Sequence, residues 1–359
     1  MIEQRRPGPR LCRRVRMGAQ QRHCRSAYGV ARLCVAHPRG HEGIAGRAPL
    51  LFIDGGVEEK TRMAGCSRRA FLQRAVLGAG GLALGPLGCS SRPDKGVQIG
   101  MARWGGLPEN AKGDARPAGE IAEMAERLTG EAMKNLGGMQ RFVHRGDVVW
   151  IKPNIGFRMG EAFAANTNPN VVTTLARLCY EAGAKHVKVG DHSCYGADGA
   201  YPLSGIEEAA KTVDAEVVYL DMNRFKEMAV NGEHIKTWPV YPDILEADLM
   251  INVPILKTHG LTGVTACLKN LMGLAGGDRN EWHDSIVTCL CDFAAFVKPR
   301  IHVLDAVRAL DNGPMGGELN DVRLIGTVVA GVDPVAMDAW GAKQFSLKPL
   351  YLRLLRSAR

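Results

Sequence analysis

Residues 248–277 read DLMINVPILKTHGLTGVTACLKNLMGLAGG, and the fold follows from how this stretch divides. Leu249 to Ile255 is apolar except for Asn252, as expected of a strand covered on both faces. Proline has no N–H to give a ladder, so the paired strand is expected to stop at Pro254. Lys257, Thr258, His259 and Gly260 then follow as a loop at its carboxyl end. Beyond them Val264, Cys267, Leu268, Leu271 and Met272 recur at the spacing of one helix face. Thr262 is placed to cap that helix and Gly273 to stop it.

The alternation continues outward in both directions. Residues 97–101, 147–152 (DVVWIK), 186–190 (HVKVG), 216–220 (EVVYL), 301–304 (IHVL) and 324–330 (LIGTVVA) carry strand patterns. Helical spacing falls at 118–136, 170–182, 206–212 and 285–297, and again from Pro334. Strands and helices alternating over short links predict an α/β fold. We expect a mostly parallel, doubly wound sheet with helices on both faces, one domain spanning residues 94–359. Such sheets bind ligands in the crevice beyond the carboxyl ends of their strands. Lys152 and Asn154 follow one predicted strand, Asp191 and His192 the next, and Lys257 and His259 the central one. Asp305 and Asp333 end the last two.

A formal net charge of +9 invites a nucleic-acid partner, but its distribution argues against one. Residues 1–62 hold 13 Lys and Arg against 5 Asp and Glu, whereas residues 63–359 hold 33 against 32. A near-neutral body has no electrostatic footprint for DNA or RNA. The Arg-rich leader has the composition of a transit peptide. We favour a simpler origin, upstream sequence read from a misplaced start, disordered and outside the fold, with Met63 the initiator.

Residues 63–93 have the pattern of an export signal. Ser67-Arg68-Arg69-Ala70-Phe71-Leu72 resembles the twin-arginine motif and precedes a Gly/Ala-rich apolar run. That run is too short to span a bilayer, which takes about 20 helical residues. The chain is therefore expected to meet the twin-arginine translocase and to reside in the periplasm. A stable membrane attachment would need a retained signal or lipidation at Cys89. Past the signal, Cys179, Cys194, Cys267, Cys289 and Cys291 match neither a disulfide framework nor an iron–sulfur or zinc spacing. Buried free thiols are expected.

Lys257, His259 and Lys269 gather positive charge near the predicted helix start, where free backbone N–H groups favour an anion. A histidine beside a glycine suits proton transfer or metal ligation. Asp191, Asp305 and Asp333 have the oxygen chemistry for a hard divalent cation. The Gly-rich stretches match neither the dinucleotide nor the P-loop pattern, and no G-x-S-x-G elbow is present.

Together the motifs resemble one family. They are I-K-P-N at 151–154, T-N-P at 167–169, G-D at 190–191, N-V-P-I-L-K-T-H at 252–259 and L-K-N-L-M-G at 268–273. His283, N-G-P-x-x-G at 312–317 and G-V-D-P-V-A-M-D at 331–338 complete the set. The order and content are similar to the bacterial and archaeal family called domain of unknown function 362, whose activity is not established. Some relatives append a ferredoxin-like module for two iron–sulfur clusters. This chain lacks its cysteine pattern, so no cluster is implied. A fainter likeness to the N-terminal region of nickel-pincer racemases implies small-anion chemistry. Relatives usually continue beyond the point where this chain ends, 21 residues after Asp338, which reads as a shortened or frame-shifted end.

The expected function is an exported enzyme of unresolved class acting on a small anionic substrate. Lys152 and Lys257 would be catalytic with His259 moving protons, and Asn154, Lys269, Asn270 and Asn312 would bind the substrate. Asp191, Asp305 and Asp333 would hold a divalent metal. The alternative is a non-catalytic periplasmic binding protein or an accessory subunit of an iron–sulfur redox system.

Overall fold

The computed structural model describes residues 98–108, 111–113, 116–316 and 318–347. The upstream extension, the Arg68-Arg69 signal, Cys89 and the shortened end all lie outside the described residues. The first half of the fold comprises β1 (Ile99–Arg103), α1 (Ala118–Asn135), β2 (Val148–Pro153), α2 (Pro169–Glu181) and β3 (His186–Val189). After α3 (Ala197–Ser204), α4 (Ile206–Lys211) and β4 (Glu216–Val217) comes a separate hairpin of β5 (Lys226–Ala229) and β6 (Thr237–Val240). Then follow α5 (Pro242–Glu246), β7 (Leu249–Val253), β8 (Ile255–His259), β9 (Gly263–Thr265) and α6 (Cys267–Asn270). The last elements are α7 (Ile286–Val297), β10 (Ile301–Leu310), β11 (Val322–Gly331) and α8 (Pro334–Lys343).

The main sheet runs β1-β11-β10-β7-β2-β3-β4. Strands β10, β7, β2, β3 and β4 are mutually parallel, while β11 and β1 add an antiparallel edge. The sheet is thus mixed but mostly parallel, the α/β class expected. Period-two alternation explains why it is wound on both faces. Val149 and Ile151 turn towards α1 and α2 and join Ile121, Met124, Val171 and Leu175 in one core. Trp150 turns the other way and joins Leu271, Leu290, Phe293 and Met337 from the opposite layer.

The deciding stretch departs from expectation at Pro254. Strand pairing does not stop there: β7 ends at Val253 and β8 resumes at Ile255, still alongside β10. Pro254 fills the gap without needing a donor, and its carbonyl accepts the N–H of Asp305 at 2.9 Å. Lys257 and His259 therefore stand on a strand, not a loop. β8 turns back through β9, where Gly263 takes φ +75°.

The predicted helix contracts for the same reason. Val264 belongs to β9, and Thr262 lies in the hairpin turn, donating its hydroxyl to Val264 O, so it caps nothing. Only Cys267–Asn270 is α-helical, continuing as a 3-10 turn. Its first N–H groups are already taken: Asp338 of α8 accepts from Cys267 N at 2.7 Å and Leu268 N at 3.1 Å. The anion expected at this helix start is thus supplied by the protein itself.

Replacing buried Asp338 with Ala strands both amide donors in the interior. We expect a loss of about 2–3 kcal/mol in urea unfolding, with Asp338→Asn milder because one acceptor oxygen survives.

Candidate functional site

Beyond the carboxyl ends of β2, β3 and β7 a cavity of about 550 Å3 opens. The segment after β2 contributes Asn154 and Phe157, and the one after β3 contributes Asp191 to Tyr195. The β8–β9 hairpin, which extends the sheet beside β10, forms a wall carrying Lys257, His259 and Thr265. The run from α6 to the following 3-10 turn adds Lys269, Asn270, Met272 and Arg279, with His283 nearby. Of the residues nominated from sequence, Asn154, Asp191, Lys257, His259, Lys269 and Asn270 thus share one cavity.

Its floor is a buried ion pair. Lys152 Nζ lies 2.7 Å from Asp191 Oδ1, and both side chains are shielded from solvent. Burial depresses the Lys152 ammonium and the Asp191 carboxylate opposes that shift. The other carboxylate oxygen accepts Ile155 N–H at 2.9 Å. Gly273 does not stop a helix. A Cβ there would collide with Asp191 Oδ1 and Lys152 Nζ, so glycine is what lets this segment close over the pair.

Above the floor the lysines are poorly compensated. Lys257 is 1% exposed and donates to Asn154 Oδ1 at 3.0 Å and Ala165 O at 2.6 Å, with Nζ 4.3 Å from the Phe157 ring centroid. Burial lowers its pKa to about 7. Lys269 is lowered to about 8, again chiefly by burial, and its one hydrogen-bond partner among the described residues is the Met272 thioether at 3.6 Å. Among the described residues neither lysine has an ion pair. Asp278, the other acid on the wall, accepts from the backbone and side chain of Asn280.

The amides and the histidines hold fixed orientations. Asn154 donates to Asn270 Oδ1 at 3.0 Å and Asn270 to Asn252 Oδ1 at 2.9 Å, so a chain of amides runs from Lys257 into the sheet. Burial, with Lys269, His283 and Lys257 adding, pushes His259 down to about 3. Its Nδ1 accepts the N–H groups of Leu261 and Thr262 at 3.2 and 3.4 Å, which assigns the ring proton to Nε2. His259 is a neutral N–H donor. His192 pairs Nδ1 with Ala275 O at 2.7 Å, and burial lowers its pKa.

Three nominated residues stand elsewhere. Asp305 does not line the cavity: it is buried in β10, accepting Asn168 N at 2.8 Å and Val307 N at 3.0 Å. Burial raises its carboxyl to about 6. Asp333 caps α8 through Val335 and Ala336 N–H. Asn312 is exposed and reaches Asp321. Among the described residues no three His, Cys, Asp or Glu side chains gather as metal ligands, so the proposed carboxylate triad is not assembled. Strand-end carboxylates here serve backbone N–H groups, the alternative use that favours Asp at such positions.

Sequence reasoning did not nominate Arg279, Cys194 or Thr265. Arg279 donates to the carbonyls of His192, Ser193 and Met272, tying together two walls. Cys194 is a free thiol on the wall facing the lysines. Arg279 follows Gly276-Gly277-Asp278, a turn signal that could have marked it as a rim residue.

Comparison with known proteins fits this geometry into a family. The family described as domain of unknown function (DUF362) matches residues 149–343, and the chain belongs to it. Over 218 residues the chain is 31% identical to a thylakoid-associated protein of Synechocystis sp.; the match covers 57% of this chain and 65% of that protein. The chain thus spans under two thirds of that relative. Among solved structures, the lactate racemase apoprotein of Thermoanaerobacterium thermosaccharolyticum superposes with a TM-score of 0.41 and 11% identity, over 69% of this chain and 61% of that one. Among the described residues no helix is long and apolar enough to cross a membrane.

Lys152→Met leaves the Asp191 carboxylate buried and unpaired, with an expected loss of about 3–5 kcal/mol in chemical denaturation. Adding Asp191→Asn should restore much of it; a double variant as unstable as the single one would contradict the pairing.

Proposed function

We propose that this chain is an exported protein that takes a small anion into the cavity at the strand ends and exchanges a proton with it through Lys257. The supporting observation is the presence of Lys257 and Lys269 on one cavity wall without ion pairs among the described residues. Burial strips water from each ammonium and their mutual repulsion adds to the cost, so the free site sheds protons. An anion supplies the missing counter-charge. It also meets a Nε2–H donor on His259 that stays neutral, and therefore keeps one proton to donate, across the working pH range.

A lysine titrating near neutrality can both give and accept a proton, which suits general acid–base work. His259 is then a fixed donor that orients the anion, and Lys257 is the group that moves the proton. The Lys152–Asp191 pair holds the floor. Residues 63–93 supply the export signal in this proposal, with Arg68 and Arg69 read by the twin-arginine translocase.

Linkage sets the sign of the pH dependence. The folded-state pKa of Lys257 lies below its unfolded value, so the native site holds fewer protons between about 7 and the ordinary lysine range. Its burden on stability is absent above that range and grows as pH falls through the window. An anion that restores the charge must take up a proton there. Calorimetric titration with acetate at pH 8 should therefore give different heats in Tris and HEPES, corresponding to uptake of up to about one proton by Lys257 and a further fraction by Lys269, and nearly equal heats at pH 6. Affinity should fall by up to about tenfold per pH unit above neutrality. Equal heats in both buffers at pH 8 would refute Lys257 as the proton carrier. Absence of acetate binding at either pH, by wild type and Lys269→Met alike, would remove the anion site.

Export is tested separately. A reporter fused behind residues 63–93 should reach the periplasm of a bacterial host, and the double substitution Arg68→Lys, Arg69→Lys should retain it in the cytoplasm.

A further inference from the structure

The cavity combines cationic and apolar lining, and this combination bears on what the anion is attached to. The under-compensated lysines supply the cationic part. Thr265 lies opposite Lys257 in the β8–β9 register, is 4% exposed, and its hydroxyl finds no hydrogen-bond partner among the described residues. A buried hydroxyl left unpaired is costly, and a ligand oxygen that reached it would recover that cost. Apolar side chains line the same cavity: Phe157 lies against Lys257 and Met272 against Lys269, and Tyr195, Met222 and Pro314 add to them.

Two of those side chains are unusual for their size. Tyr195 is 51% exposed and Met222 55% exposed, although each lines a concave site. Tyr195 is held in place by Phe157, with ring centroids 5.5 Å apart, so a flat aromatic surface is presented ready-made. Size argues the same way. About 550 Å3 falls among sites of roughly 300–1,000 Å3 that enclose drug-sized ligands, and it far exceeds what a bare inorganic ion fills.

We infer that the ligand is an oxyanion-headed organic molecule with a flat, largely apolar body, its head at Lys269 and Thr265 and its body against Tyr195. This rests on the anion-site proposal above and specifies the substrate class for it. Head and body are recognised by different residues, so their contributions separate.

The test uses acetate against benzoate, and inorganic phosphate against phenyl phosphate, titrated calorimetrically into the full chain at pH 6.5. Each aryl anion is expected to bind at least about tenfold more tightly than its small counterpart, the gain expected of one ring taken from water onto an aromatic face. Tyr195→Ala should erase that gain, bringing benzoate affinity down to that of acetate in the same variant. Thr265→Val should weaken acetate and benzoate alike, with Thr265→Ser restoring both, and thermal melts identify any variant that fails to fold. Equal affinity for acetate and benzoate overturns the inferred ligand class while the anion site stands. Benzyl alcohol binding as tightly as benzoate overturns the headgroup assignment, as does an unchanged Thr265→Val. No binding by any of the anions removes the underlying site itself.

Discussion

The Lys152–Asp191 ion pair is the contact on which the rest of the site depends. Two parallel strands, β2 and β3, end side by side, and each delivers one partner to the same buried point. Desolvating both charges is expensive, and the close approach of the two charges together with extra hydrogen bonds offsets that cost. Asp191 also accepts Ile155 N–H, and Lys152 donates to Pro153 O at 3.1 Å. The backbone N–H of Asp191 is fixed in turn by the Tyr201 hydroxyl at 2.8 Å. Each hydrogen bond places one more residue of the loops that form the walls.

Neutralising the floor leaves the remaining charge uncancelled. Lys152 takes the direct ion pair of Asp191, and its own charge offsets much of what that carboxylate gives Lys257. Oxygen acceptors and an aromatic face hold Lys257 in position but carry no net negative charge. The result is a preorganised wall of donors with depressed proton affinity. Arg279, anchored on three backbone carbonyls, adds further positive charge while locking the opposite segment. Such preorganisation is what lets a site act on charge without first rearranging.

Much of this was legible in sequence where local periodicity and strand-end position govern. DVVWIK and HVKVG alternate so as to feed two cores, and both form strands where expected. Lys257, His259, Lys269, Asn154 and Asp191 follow or lie near strand ends and converge as the crevice rule requires. The misread carboxylates share one cause. Asp305, Asp333 and Asp338 look alike in sequence, since each is an acid near a strand end or helix start, and all three are bound to backbone N–H groups. Whether such an acid faces a cavity or an amide depends on a partner more than 70 residues away for Asp305 and Asp338. Gly273 was equally ambiguous, because a helix stop and a close approach to an ion pair call for the same residue.

The sequence by itself determined the α/β class, the placing of the strands along the main path of the sheet, the family and the supply of lysines to one rim, because these follow from short-range alternation and from residues adjacent to strand ends. Tertiary structure decided which charges pair. It turned Lys257 and His259 onto a strand that outruns its neighbours past Pro254. It matched Lys152 to Asp191 and gave Asp338 to the helix start. Coulombic and hydrogen-bond energies are decided within a few ångströms, and residues far apart in the chain reach that range only once the sheet has set their separation.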